Sequence, residues 1–239
     1  MKALRRLQSW RYRAKLLQIK ITAEAPWRMA ARLRFTTASR LAGSSARQLA
    51  DIYESSFAAA EREPTDQLLR DIATKRRRCY VAMLGDVVVA FAVVSPLPRR
   101  IQFLEYFAVQ QDCRNRDIGS SLFRHLLVDL AARSSPGIVF EVEDPALGEG
   151  SHMDVRSARI RFYQRLGAEV VACAPAYQAP SSRGKESLHY LLMWSGIGPA
   201  RKPLDGPALR ECVLAMLVSG YGLSETDPLV EQVLSGLTC

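Results

Sequence analysis

Within some thirty residues the chain changes from the pattern of a strand to that of a helix. Residues 101–109 read as a β-strand, residues 110–116 as a basic, polar turn, and residues 117–132 as a helix with Gly119 in its first turn. Ile118, Leu122, Leu126 and Leu130 fall on one face of that helix, the spacing of an amphipathic element. A helix N-terminus presents backbone N–H groups that lack intrahelical partners, together with a partial positive charge. A strand that feeds such a terminus makes a ready site for a pyrophosphate. Gly119 lets a phosphate approach the main chain closely, and Arg114 and Arg116 add charge at the same place. The bland alternative is a plain strand-to-helix turn with solvated arginines, so the rest of the chain has to decide.

The flanking elements place this unit in a mixed sheet. A short strand is expected over 33–37, a helix from Ser44 or Ser45 to Phe57, and a second helix starting near Pro64, a favoured first-turn residue. The apolar, β-branched runs 79–84 and 87–94 are separated by Gly85 and Asp86 and read as a hairpin. After the central helix come a strand at 138–143, a loop at 144–154 and a helix at 155–166 ending at Gly167, a residue suited to a left-handed C-terminal cap. Strands at 169–174 and 187–194 follow, joined by a loop, and then amphipathic helices at 204–218 and 228–237. This order predicts an α/β (α+β) fold. The domain is set at 33–196, with a basic amphipathic extension at 1–32 and a C-terminal helical extension at 197–239 packed on the domain.

Charge and cysteine usage narrow the setting. The 239 residues carry a net charge of +9, but ten lysines and arginines up to Arg34 face a single acid, Glu24, so much of the excess is local. That segment reads as a helix with a solvated basic face, or else as a docking surface for an acidic partner or a membrane. No apolar run approaches the roughly 20 residues of a membrane span. The five cysteines (Cys79, Cys113, Cys173, Cys212 and Cys239) form no CxxC pair and no His/Cys cluster, so the reading is reduced thiols, no metal, and a cytoplasmic protein. Nucleic acid is disfavoured, since no aromatic-basic stacking platform accompanies the charge.

The decisive pattern is a second motif downstream. Residues Arg114, Asn115, Arg116, Asp117, Ile118, Gly119 and Ser120, following a strand that ends in Phe107, Ala108 and Val109, resemble the acetyl-CoA-binding motif of the GCN5-related N-acetyltransferases (GNAT). The run Phe162, Tyr163, Gln164, Arg165, Leu166, Gly167 is similar to that family's later motif. Asp117 stands where the family usually has glycine; its carboxylate is placed to cap the helix and also to repel a pyrophosphate. Arg156 stands where asparagine is frequent, and Ala168 where phenylalanine is frequent. The resemblance spans about residues 33–194 and implies a mixed, mostly antiparallel sheet with helices on both faces. It implies acetyl-CoA or a longer acyl-CoA as cosubstrate. Main-chain groups near Phe107, Ala108 and Val109 would bind the pantetheine arm and thioester carbonyl, N–H groups of residues 114–120 the pyrophosphate, and Tyr163 would protonate the leaving thiolate. The plain alternative for Tyr163 is a half-buried core tyrosine with a wet tip.

The chemistry also needs a base, because an amine near pKa 10 is protonated at neutral pH. Glu105 leads because it precedes the carbonyl-binding segment on the same strand. Glu141 and Glu143 alternate with Phe140 and Val142, so both face one side of their strand, where they can hold a cationic amine or share the base role. The acceptor is expected to be a small amine or a peptide, with an acidic acyl carrier protein as an alternative donor and a non-catalytic CoA-binding module as the alternative function. The protein is expected to be a monomer or homodimer. Arg76, Arg77 and Arg78 read as a solvated face, or as a hold for a CoA phosphate or an acidic carrier.

Overall fold

The computed structural model describes residues 33–38, 43–59, 61–147, 151–180, 187–198 and 202–239; the basic segment 1–32 and its expected helix lie outside them. The elements run β1 (Leu33–Thr37), α1 (Gly43–Ser56), α2 (Thr65–Ala73), β2 (Arg78–Leu84), β3 (Val87–Pro96), β4 (Gln102–Val109), α3 (Ile118–Ala132) and β5 (Gly137–Glu143). They continue with α4 (Ser151–Arg165), β6 (Glu169–Val170), β7 (Gln178–Pro180), β8 (Ser187–Gly196), α5 (Gly206–Ala215), a π turn (Met216–Gly220) and α6 (Pro228–Ser235). The strands form one sheet in the order β1-β2-β3-β4-β5-β8-β6, with β7 added along β8. Every pairing is antiparallel except β4 with β5, which are parallel.

The apolar runs of β2 and β3 are buried on both faces, which is why they show no polar alternation. The front face packs against Ile118, Leu122, Phe123, Leu126 and Leu130 of α3 and against Tyr163 and Phe162 of α4. The rear face is divided. Leu49, Ile52 and Tyr53 of α1 and Leu68 and Ile72 of α2 cover the β2-β3-β4 half. Leu209, Cys212 and Val213 of α5, with Met216, Leu217, Val230 and Val233, cover Val139, Leu192 and Trp194 of the β5-β8 half. A fully buried side chain of this size contributes about 2 kcal/mol through lost water contact, so both rear patches hold their helices firmly.

The division follows from one irregularity and one short pairing. Val93 pairs with Tyr106 and Val94 with Leu104, so Glu105 is the extra residue of a β-bulge. The bulge resets the alternation: Leu104, Phe107 and Val109 join the front cluster, whereas Tyr106 and Ala108 join the rear one. Beyond the bulge β4 and β5 part, because their shared register covers only Gln102 with Ile138 and Phe103 with Val139.

Local sequence misjudged several boundaries. Helix α4 begins at Ser151, inside the stretch read as loop. Strand β6 stops at Val170, and a turn closed by Ala174 N–H to the Val171 carbonyl (3.2 Å) leads into Pro175, which has no N–H to continue a ladder. Strand β7 lies in the region read as loop, since its only support is tertiary pairing with β8. Helix α5 starts at Gly206 because the Asp205 carboxylate accepts from Ala208 N–H at 2.7 Å, an N-cap. Gly167 caps α4 in the left-handed region (φ 91°), with Ala168 N–H reaching the Tyr163 carbonyl at 3.1 Å.

Candidate active site

Two cavities meet at the place where β4 and β5 part. The front cavity, about 640 Å³, runs from the N-terminus of α3 past Phe107, Ala108 and Val109 to Tyr163 and Glu141. The rear cavity, about 400 Å³, lies between the two rear helical layers. Phe57, Leu104, Glu105, Glu141 and Arg159 line both.

At the front, backbone conformation shapes the mouth. Asn115 and Asp117 both adopt φ 59°, the left-handed region that Asn and Asp tolerate better than other non-glycine residues. Asp117 therefore does with strain what glycine does freely. Its carboxylate makes no capping hydrogen bond to the helix, contrary to the sequence expectation, and instead lies 3.7 Å from Arg124 on the exposed side of α3. Arg114 Nε–H donates to the Val109 carbonyl at 3.1 Å and fixes the turn to the end of β4. A Cβ on Gly119 would lie 3.3 Å from Val109 Cγ2 and 3.4 Å from Phe162 Cζ, so glycine lets α3 close down on β4 and α4. Of the residues singled out from sequence for donor binding and catalysis, all but Arg116 and Glu143 line this one cavity. The donor set suits a CoA-type thioester: a helix N-terminus and Arg114 at one end for a pyrophosphate, and an apolar strand edge leading to a phenol at the other.

Tyr163 is 6% exposed and sits in an aromatic cage, with ring centroids 4.5 Å from Phe140, 5.4 Å from Phe123 and 6.1 Å from Phe107. Burial pushes its phenol well above the usual tyrosine range, against a weaker opposing pull from Arg159. The hydroxyl is therefore a proton donor at neutral pH.

At the rear, carboxylates dominate. Glu61, Glu63, Glu105, Glu141 and Glu143 line the cavity against Arg77 and Arg159. Glu105 is 10% exposed and forms an ion pair with Arg77 at 3.3 Å. Burial raises its carboxyl, while Arg77 and a hydrogen bond from Ser95 hold it down. Glu141 differs in having no cationic partner in contact among the described residues: Tyr177 Oη–H donates to Oε1, and Tyr221 Oη–H to Oε2 at 2.5 Å. Burial outweighs these two donors and pushes Glu141 up to about 7. Glu143 is held by Arg159 at 2.6 Å and Arg156 at 3.3 Å.

Sequence reading missed three of these groups. Arg77, read as part of a solvated face, is 15% exposed and bonds Glu63 and Glu105; only Arg76, 77% exposed, fits that reading. Tyr177 and Tyr221 come from segments with no motif, and only the fold brings them to Glu141. Among the described residues no group of three or more His, Cys, Asp or Glu is placed to hold a metal ion. Nor is any helix there long and apolar enough to cross a membrane. All five cysteines are free thiols.

Comparison with known proteins gives this geometry its family. No curated protein matches the sequence. A protein from Bacteroides thetaiotaomicron described as an acetyltransferase of the GNAT family superposes with TM-score 0.59 at 23% identity, covering 80% of this chain and 99% of that one. An aminoglycoside 6'-N-acetyltransferase complexed with coenzyme A gives 0.56 at 19% identity, covering 71% and 99%. Ard1 from Thermoplasma volcanium gives 0.52 at 18% identity, covering 70% and 99%. At such identities these structures establish the fold: a mostly antiparallel mixed sheet with helices. The sequence model of the acetyltransferase (GNAT) family matches residues 46–168, more than half of the chain and the stretch that carries the helix mouth, Glu105, Glu141 and Tyr163. The chain thus belongs to the GNAT family and is an N-acetyltransferase, of a family that takes its acyl group from coenzyme A.

Proposed function

We propose that the protein transfers an acetyl or longer acyl group from acyl-CoA to a primary amine by direct attack on the thioester, within a domain spanning residues 33–196. One observation carries this reading: Glu141 lines two cavities at once, a front one that Tyr163 also lines and that suits a pyrophosphate-bearing donor, and a rear one rich in carboxylates. When bound, the thioester supplies an electrophilic acyl carbon and a thiolate leaving group. The N-terminus of α3 and Arg114 hold the donor's phosphates, and the edge of β4 at Phe107, Ala108 and Val109 orients the carbonyl. The carboxylates of the rear cavity draw in a cationic acceptor. Glu141, poised near neutrality, takes one proton from the ammonium so that its nitrogen can attack. Glu105, ion-paired with Arg77, serves as the second carboxylate at the gap. Tyr163 gives its proton to the departing sulfur and regains one from the second proton that the acylated nitrogen sheds, directly or through water.

The test is thiol release from acetyl-CoA and longer acyl-CoA thioesters in the presence of propylamine, spermidine and a lysine-bearing peptide. Release that depends on amine is expected, and Tyr163→Phe should lower it while the donor still binds. Equal rates in the parent protein and in Tyr163→Phe and Glu141→Gln would overturn the assignment.

A further inference from the structure

Residues 204–239 lie outside the matched family core, yet one of their side chains reaches its centre. Helix α5 does not end in an ordinary turn. Tyr221 N–H bonds the Met216 carbonyl at 3.0 Å, which closes the wider π turn Met216–Gly220. Met216 and Leu217 are fully buried in the rear core, so the turn is anchored. A π turn of this kind is rare and frequently lies at a functional site. Here it sets Tyr221 Oη 2.5 Å from Glu141 Oε2, while Gly220, Tyr221 and Leu223 form part of the rear cavity wall. Tyr177, 1% exposed and supported through its carbonyl by Tyr190 N–H at 3.2 Å, takes the other oxygen. Two phenols from separate segments thus occupy both oxygens of one carboxylate.

We propose that Tyr221 is a positioning residue for acyl transfer: together with Tyr177 it fixes both oxygens of Glu141 at the gap between β4 and β5, which makes the C-terminal helices a working part of the acceptor side. The inference rests on the base role of Glu141 given above. Both phenols are held protonated by burial and by the neighbouring carboxylate, so each donates and the ionised carboxylate is favoured. The other groups around Glu141 are Tyr190 on β8, Glu105 on β4, Glu143 two residues along β5 with its partner Arg159, and Glu61, Glu63 and Arg77 from the segments that flank α2. None of these makes a hydrogen bond to it, so among the described residues the two phenols hold its orientation.

The experiment uses the full chain labelled with ¹³C at glutamate Cδ, with Glu141→Gln to assign the resonance. Titration of the parent is expected near pH 7. Loss of one donor in Tyr221→Phe should raise the midpoint by about one pH unit, and the acid limb of kcat/KM with spermidine should move up with it. Tyr177→Phe should act in the same direction, and it carries the test if Tyr221→Phe fails to fold. An unchanged midpoint in the folded variants overturns the proposal. A midpoint that moves while the acid limb stays shows a purely structural clamp and also overturns it, leaving acyl transfer itself intact. Absence of amine-dependent thiol release in the parent would instead sink the underlying function, whatever the titration shows.

Discussion

The front and rear cavities do related work but are built by opposite means. The front one is drawn by consecutive chain: the end of β4, one turn and the first residues of α3 supply its donor end, largely through main-chain geometry. The rear one takes its wall from the segments that flank α2, from β4, β5, α4, β7 and β8, and from the segment after α5, elements far apart in the chain. A site made of backbone can be copied between proteins as a short motif, and this one falls inside the matched family stretch. A site made of side chains from distant elements is redrawn whenever a loop or terminus changes. On the proposed function the contrast teaches where to expect constancy and where specificity: a donor site carried by the family motif, and an acceptor site set by what is added to it.

Substitutions can break or sharpen that contrast. The largest effect is expected at the inner end of the front cavity, where Tyr163→Phe should lower kcat by about a thousandfold, within the range for a lost general acid, with donor affinity preserved in calorimetry. At the rear, Glu141→Gln should lower kcat/KM by about a hundredfold and abolish the acid limb near pH 7. The sign follows from protonation: the parent loses activity as pH falls through about 7, because the base is then occupied by a proton. At the front, Gly119→Glu should weaken donor binding by about tenfold or more, roughly 1.4 kcal/mol, while the acceptor KM stays near the parent value. The smallest change is Asp117→Gly, which removes a carboxylate from the α3 mouth and relieves a left-handed residue. It should tighten donor binding by about two- to fivefold, since exposed charges are worth about 1 kcal/mol or less. A change in donor affinity from the rear variant, or in acceptor KM from the front one, would show that the two cavities are not separable.

Legibility in the sequence followed the same division. The hairpin of β2 and β3, the apolar face of α3 and the glycine cap of α4 each have a local cause, and each is visible in the residues themselves. So is the glycine-bearing helix start. Glu105 could be nominated from its strand, but not the bulge that re-aims it, because a bulge depends on the register of the partner strand. Arg77 looks like one of three solvated arginines until α2 and β4 close over it. Tyr177 and Tyr221 carry no local signal at all: one follows a broken strand, the other a π turn, and their meeting at Glu141 spans 36 and 80 residues of chain. Strand β7 was hidden for the same reason, since it exists only by pairing.

The carboxyl sunk beneath two phenols has a cost that reaches beyond catalysis. An unfolded chain releases the Glu141 proton near pH 4.5, the folded chain only near 7. Stability gained from the neutral carboxyl is thus complete below the lower value, drains away between the two, and is gone above the higher. The amount is about 3 kcal/mol as an upper bound, reduced by the water that reaches the carboxyl through the cavities. For this carboxyl, the protonated form that favours the fold is, on the proposed role, the form that cannot take a proton from the amine. A melting curve followed from pH 5 to 8 should decline in the parent and lie flatter in Glu141→Gln.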